Sequence, residues 1–223
     1  SGAYTEGTHD GSTFSASTSI TDQDRFFDQS LALVVSSFNS GDAIKIDLGP
    51  AVAVSAIALY FSSEETNDLV LYGSANSNMS SASTSNTMSS TFPVGWTIDT
   101  FSEDSKRYWA LRATGTVANN AEFLIGAKYD FDFEFDLQSI KAKKSGNVIT
   151  TTYSGSEFST KKHDPITTWS WKWSFITAAM KTSLETLRDN TEQDRFKFVY
   201  YDGSAYHWVR MSADSLQFTE VAN

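Results

Sequence analysis

Nine consecutive residues, Tyr129-Asp130-Phe131-Asp132-Phe133-Glu134-Phe135-Asp136-Leu137, alternate an apolar side chain with an acid without a break. A period of two is the pattern of a strand with one buried face and one wet face, because successive side chains point to opposite sides of the backbone. On a helix the same residues would scatter their rings around the whole cylinder. Thr168 to Phe175 repeats the period with Trp169, Trp171 and Trp173 on one face, and Ala43-Ile44-Lys45-Ile46-Asp47-Leu48 shows it with aliphatic residues. A chain patterned this way folds as sheet, and its aromatic content of 14% agrees, since flat rings pack well on pleated surfaces.

Further runs of strand length follow the same rule. Val52 to Tyr60, Asp68 to Tyr72, Tyr108 to Ala113 and Ala121 to Ala127 are each bounded by turn residues, and Gly49-Pro50 separates the first of them from the run before it. Ser74 to Thr91 is almost all Ser, Thr, Asn, Ala and Met, so it buries little and reads as a long exposed loop. Helical spacing occurs once: Ile176, Met180, Leu184 and Leu187 recur at three to four residues, with Thr177 placed to cap the start and Asn190 to end it. Trp169, Trp171 and Trp173 are expected to pack against that helix, with a sugar platform or a subunit interface as the alternatives. Arg195 to Tyr200, an Asp202-Gly203 turn and Ala205 to Met211 read as a closing hairpin. The expected architecture is therefore all-β, with two β-sandwich-type domains at residues 1–127 and 128–223, the second carrying one packed α-helix.

The totals exclude several functions. A net charge of −10 repels phosphate backbones, so no nucleic-acid partner is expected. No apolar run reaches the roughly 20 residues that a membrane-spanning helix needs, so no membrane insertion is expected. The N-terminus lacks the basic and apolar regions of a signal peptide. There is no cysteine, which removes disulfides, thiolate nucleophiles and zinc–thiolate sites together.

Residues that carry chemistry are sparse. His9, His163 and His207 show no metal-ligand spacing, there is no G-x-S-x-G elbow, and the glycines form neither a phosphate loop nor a dinucleotide fingerprint. No catalytic residue, no metal and no cofactor is expected, and the chain reads as non-enzymatic. Two groups remain as candidate surfaces. Asp22, Asp24, Phe26 and Phe27 mix acids and rings just before the first clear strand, where a ligand loop could lie; the alternative is a turn anchored in the core by Phe26 or Phe27. Asp130, Asp132, Glu134 and Asp136 project from one strand face about 6.6–6.8 Å apart. They suit a solvated face, or an interface with a basic strand such as Lys141, Lys143 and Lys144 or with a neighbouring subunit; a Ca2+ between two of them is the remaining alternative and would need further oxygens from other strands.

Two family resemblances arise from these residues. Ala43-Ile44-Lys45-Ile46-Asp47-Leu48-Gly49, Val54 to Tyr60, Leu71-Tyr72-Gly73-Ser74, Tyr108-Trp109-Ala110-Leu111 and Glu122 to Gly126 together resemble the discoidin, or coagulation-factor type C, group of galactose-binding-like sandwiches. That resemblance spans about Ser17 to Tyr129 and implies a non-catalytic domain that binds glycans, lipid head groups or proteins through loops at one end. Trp169 and Trp171, Leu184 and Leu187, Phe196 and Phe198, Asp202-Gly203, Tyr206 with Trp208-Val209, and Leu216 with Phe218 resemble a C-terminal pattern of bacteriophage tail proteins, distal-tail-like ones included. This second resemblance implies a virion component that assembles with other virion proteins as a homo-oligomer ring. The expected function is thus a structural tail or tail-ring protein with an outward carbohydrate-binding-like domain. The alternative is a bacterial glycan-binding, lectin-like module working outside the cell or at its surface.

Overall fold

A computed structural model of the chain describes residues 4–9, 12–17, 23–27, 31–35, 38–79, 84–88, 91–131, 140–191 and 197–212. It divides into two compact units, Ser1–Tyr129 with Asp194–Met211, and Asp130–Gln193 with Ser212–Asn223. The chain is all-β with a single α-helix among the described residues.

The first unit begins with β1 (Tyr4–His9), β2 (Ser12–Ser17), β3 (Ala43–Phe61), β4 (Leu69–Ser74), β5 (Thr84–Thr87), β6 (Gly95–Ala113) and β7 (Asn120–Gly126), all paired antiparallel. Two long strands organise it. β3 and β6, 19 residues each, run side by side along their whole length. The first part of β3 takes β2 as its other neighbour, and the last part takes β7; the last part of β6 takes β4. Pairing loses register between Asp47 and Val52 and again between Val54 and Ala56. Irregularities of this kind bend a strand, and here they let one strand pair serve both layers of a sandwich.

The burial pattern follows the bend. Ile44, Ile46 and Val54 point inward, then Ile57, Leu59 and Phe61, so the buried set passes from even to odd numbers where the register slips. The expected break at Gly49-Pro50 is thus a kink within one continuous strand. Between the layers lie the fully buried rings of Trp109, Phe26, Phe38, Phe61, Phe92 and Phe123. Phe61 stacks on Phe92 at 4.7 Å between centroids, and Phe26 sets its edge to Phe38 at 5.6 Å. Gly73 explains itself here: a Cβ at that position would stand 3.0 Å from the Trp109 ring, so only glycine lets the indole lie against β4.

The low-complexity stretch differs from its expectation. Residues 84–87 form β5 on the edge of β4, and Met88 is buried, its N–H donating to the Leu69 carbonyl at 3.0 Å. Short polar side chains hid this strand, because its place is fixed by main-chain pairing and by one methionine rather than by an apolar run.

In the second unit, β8 (Ile140–Lys144), β9 (Asn147–Thr151), β10 (Glu157–Lys161) and β11 (Ile166–Ser170) form two successive antiparallel pairs, β8 with β11 and β9 with β10, here called the ribbon. Ile140 faces Ser170 and Lys144 faces Ile166, Asn147 faces Lys161 and Thr151 faces Glu157, and between the two pairs the Lys162 N–H donates to the Gly146 carbonyl at 2.9 Å. Every residue of β8, β9 and β10 is exposed. α1 (Ala178–Asn190) follows the sequence expectation closely. The Thr177 hydroxyl accepts from the Met180 N–H at 3.1 Å, and Met180 and Leu184 are buried. Trp171 and Trp173 converge on Phe131, at 6.1 and 5.4 Å, and Lys141 lies over the Trp169 ring.

The closing hairpin, β12 (Phe198–Tyr201) and β13 (Tyr206–Val209), belongs to the first unit. Gly203 takes the left-handed φ of +89° that its turn requires. Asp202 accepts from the Ser204 hydroxyl at 2.8 Å, from the Ala205 N–H at 2.9 Å and from the Ser204 N–H at 3.1 Å, and lies 2.8 Å from His207 Nε2. Trp208 packs on Trp96 at 5.0 Å, and Trp96 meets Tyr60 at 5.5 Å. Tyr60 and Trp96 are cross-strand partners, as are Tyr60 and Glu122, and Glu122 is only 1% exposed. The outer side of the β7–β3–β6 layer is therefore covered.

The turn gives a pH expectation. The Ser204 hydroxyl first, then the Ala205 N–H and the His207 ring, hold the Asp202 carboxyl far below the usual carboxylate range. A carboxyl that is more acidic in the folded chain stabilises the fold above its unfolded pKa, near 4, and loses that contribution as pH falls further. The thermal midpoint of the wild type is expected to drop more steeply below about pH 4 than that of Asp202→Asn. Equal slopes in an acid series of thermal melts would remove the turn's role.

Candidate functional site

Of the residues proposed from sequence, Phe26 and Phe27 are core. They are 0% and 8% exposed and pack on Phe123 at 6.5 and 6.0 Å, so neither ring can meet a ligand from solvent. The core-anchored turn is the form the structure takes, since two large rings bury more favourably between the layers than they stack on a sugar in water. Asp24 lies in the short 3-10 turn Gln23–Phe26, and Asp22 falls outside the described residues. Asp130 is exposed next to Phe131, while Asp132, Glu134 and Asp136 also fall outside them. Lys143 and Lys144 face Thr167 and Ile166 of β11 across the ribbon.

A different group comes together on the outer face of the β2–β3–β6–β4 layer. Cross-strand partners share a face, so the register lays out two rows. Tyr72, Ala110 and Lys45 form one, and Ser74, Tyr108 and Asp47 the next, about 6.6 Å along the strands. Arg107, at the kink, donates two hydrogen bonds to Asp47: Nε to Oδ1 at 2.8 Å and a terminal nitrogen to Oδ2 at 2.9 Å. Its guanidinium also stands 4.9 Å from the centre of the Tyr108 ring. The Gly49 N–H completes the carboxylate at 2.8 Å. The hydrogen bond from Arg107, then that from Gly49, lowers the Asp47 pKa, so Asp47 is an anion throughout the neutral range.

Lys45 spans the small Ala110 to reach the Ser77 carbonyl at 2.9 Å and ties the loop after β4 to this face. The strip thus offers two half-exposed phenols, an exposed bidentate guanidinium, a carboxylate and an ammonium, all on rigid strands. Its members are the outward positions of strands legible in the sequence, but pairing Arg107 with Asp47 needs the kink, which no local pattern reveals. Among the described residues no three His, Asp or Glu side chains converge as a metal site would require.

The opposite end of the sandwich is tied by Glu65, whose carboxylate accepts from Thr66 N–H and Asn67 Nδ2 at 3.0 Å each and from Ala118 N–H at 2.9 Å. Ser204, Asp202 and His207 bring together the side chains of a hydrolytic triad in the wrong order. The hydroxyl donates to the carboxylate and not to the imidazole, which leaves no base on the serine.

No protein-family model and no curated protein matches the chain. Solved structures similar to it include carbohydrate-binding modules. The CBM32 domain of AlyQ, solved with 4,5-unsaturated mannuronic acid, is 21% identical over 56% of this chain and 95% of its own, with a TM-score of 0.41. Chitosan-binding module 2 of the chitosanase/glucanase from Paenibacillus sp. IK-5, solved with chitotriose, is 17% identical over 52% and 95%, with a TM-score of 0.39. A fucose-binding module of Streptococcus pneumoniae is 14% identical over 55% and 100%, also at 0.39.

Proposed function

We propose that this chain is a non-enzymatic glycan-binding module whose sugar rests on the strip formed by Tyr72, Tyr108, Arg107, Asp47 and Lys45, working outside the cell or at a cell surface. The observation that carries the reading is the Asp47–Arg107 pair set against Tyr108, one row from Tyr72, on the outer face of the sheet. A sugar presents an apolar C–H face and a rim of hydroxyls. Phenol rings match the face, and a carboxylate beside a guanidinium offers acceptors and donors to adjacent hydroxyls. Side chains already fixed by one another lose little freedom on binding, which suits a shallow site of modest affinity. The strip holds two cations to one carboxylate, so a uronate-containing sugar is expected to bind more tightly than its neutral counterpart.

The discoidin-like motifs support the same reading, because they supply β3, β4, β6 and β7. The tail-like motif receives no comparable support: its helix lies in the second unit and its hairpin in the first, so it does not describe one domain. Isothermal titration against neutral and uronate oligosaccharides tests the proposal. Tyr108→Ala and Arg107→Ala are each expected to weaken binding by about tenfold or more, the loss of one stacking or one charge-assisted contact. Glycan binding that survives both changes would remove the strip from consideration.

A further inference from the structure

The ribbon of β8 to β11 is a second surface that the glycan reading does not use. Two strands alone are marginal in water, because a stable sheet needs a third strand or a packed face. Yet Ile140, Val148, Ile149, Phe158 and Ile166 are 41–65% exposed, distributed over both faces of the ribbon, and Tyr153 stands fully exposed in the tip turn. The tip itself is well made: the Gly155 N–H donates to the Thr152 carbonyl at 2.9 Å, and the Thr152 N–H to the Ser156 carbonyl at 2.8 Å. Among the described residues the ribbon strands pair only with one another, so their outer edges still present main-chain donors and acceptors.

Charge says what would cover it. Lys141, Lys143, Lys144, Lys161 and Lys162 give the ribbon five of the chain's 17 basic residues, against only Glu157 and Asp164 of its 27 acidic ones. One of those acids, Asp164, is held in an ion pair with Lys161. The ribbon is a basic segment in a strongly acidic chain. We propose that it docks on the acidic body of a second copy of this chain, covering its aliphatic side chains while its lysines meet carboxylates. A sugar or a phosphate polymer would satisfy the lysines but leave Ile149 and Phe158 in water. A second copy offers both apolar and acidic surface and is present wherever the protein is.

Sedimentation of the full chain over a concentration series, at low and high salt, tests this. Self-association is expected at low salt and should weaken as the screening length falls from about 10 Å at 0.1 M to about 3 Å at 1 M. Lys143→Glu with Lys144→Glu and Lys162→Glu is expected to weaken it by about tenfold, the sum of three surface ion pairs of ordinary strength. Ile149→Ser with Phe158→Ser is expected to abolish it while glycan affinity stays unchanged. Zero-length lysine–carboxylate cross-linking of mixed light and heavy-isotope wild type gives an answer independent of whether those variants fold. Mixed-isotope links from residues 141–162 to the partner's carboxylates support the proposal. A monomer at every concentration and salt, or mixed links that avoid the ribbon, overturns it, and so does a monomer whose ribbon instead captures heparin. Glycan binding can fail without touching this result.

Discussion

Phe26→Ala is expected to cost about 3–5 kcal/mol of unfolding free energy and to lower the thermal midpoint by about 6–20 °C. The ring is fully buried, touches Phe27, Phe38 and Phe123, and occupies the space between the layers from a 3-10 turn that precedes the first long strand. Removing it leaves a cavity lined by rings that cannot all move inward, because Phe38 is held by its bridge to Val117 and Phe123 by β7. The same substitution should leave glycan affinity intact at temperatures where the variant is folded. Denaturant unfolding together with titration calorimetry separates the two outcomes. A small stability loss with a large loss of binding would return Phe26 to the ligand surface.

Glu65→Ala is the second large effect, about 3 kcal/mol, because it removes a charged acceptor from three donors at once. The Ala118 N–H depends on it to join the β6–β7 loop to the β3–β4 loop, and Asn67 also donates to the Thr116 carbonyl there. Glu65→Gln keeps one acceptor oxygen and should fall about midway. Hydrogen exchange supplies the local reading: the Ala118 amide should lose protection in the alanine variant well before amides of β3 do. If Ala118 exchanges at the wild-type rate, the carboxylate is not what holds these loops.

Much of this fold could be read from the residues. Alternation located β3, β4, β7 and the hairpin, and the three-to-four spacing with Thr177 located the helix almost to the residue, since both signals come from local geometry. What escaped the reading depends on distant partners. β5 is polar and held by main-chain pairing with β4. Residues 95–107 carry Asp99, Glu103, Asp104, Lys106 and Arg107, a stretch too charged to suggest a strand, yet it runs beside β3 for its full length. The kink that joins Asp47 to Arg107 arises from a mismatch between two strands and has no expression in either alone. Phe26 and Phe27 looked like a ligand loop because a ring beside acids has the same appearance on the surface as at the end of a core anchor. The covered face of β7, β3 and β6 was likewise invisible, as Trp96 and Trp208 are far apart in the chain.

That last pairing has a consequence for how the protein is made. β7 ends at Gly126 and β12 begins at Phe198, so the strands that finish the sandwich leave the ribosome long after the rest of it. Until then Tyr60, Trp96 and Glu122 have no hairpin over them, because the docking of Trp208 must wait until the whole of the intervening compact unit has been made. A nascent chain stopped at Tyr129 therefore displays an aromatic patch next to a carboxylate, a surface that chaperones hold and aggregates recruit. Expression of a sandwich trimmed at Tyr129 is expected to fail for this reason, while a version in which a linker joins Gly126 to the hairpin is expected to complete its own lid during synthesis.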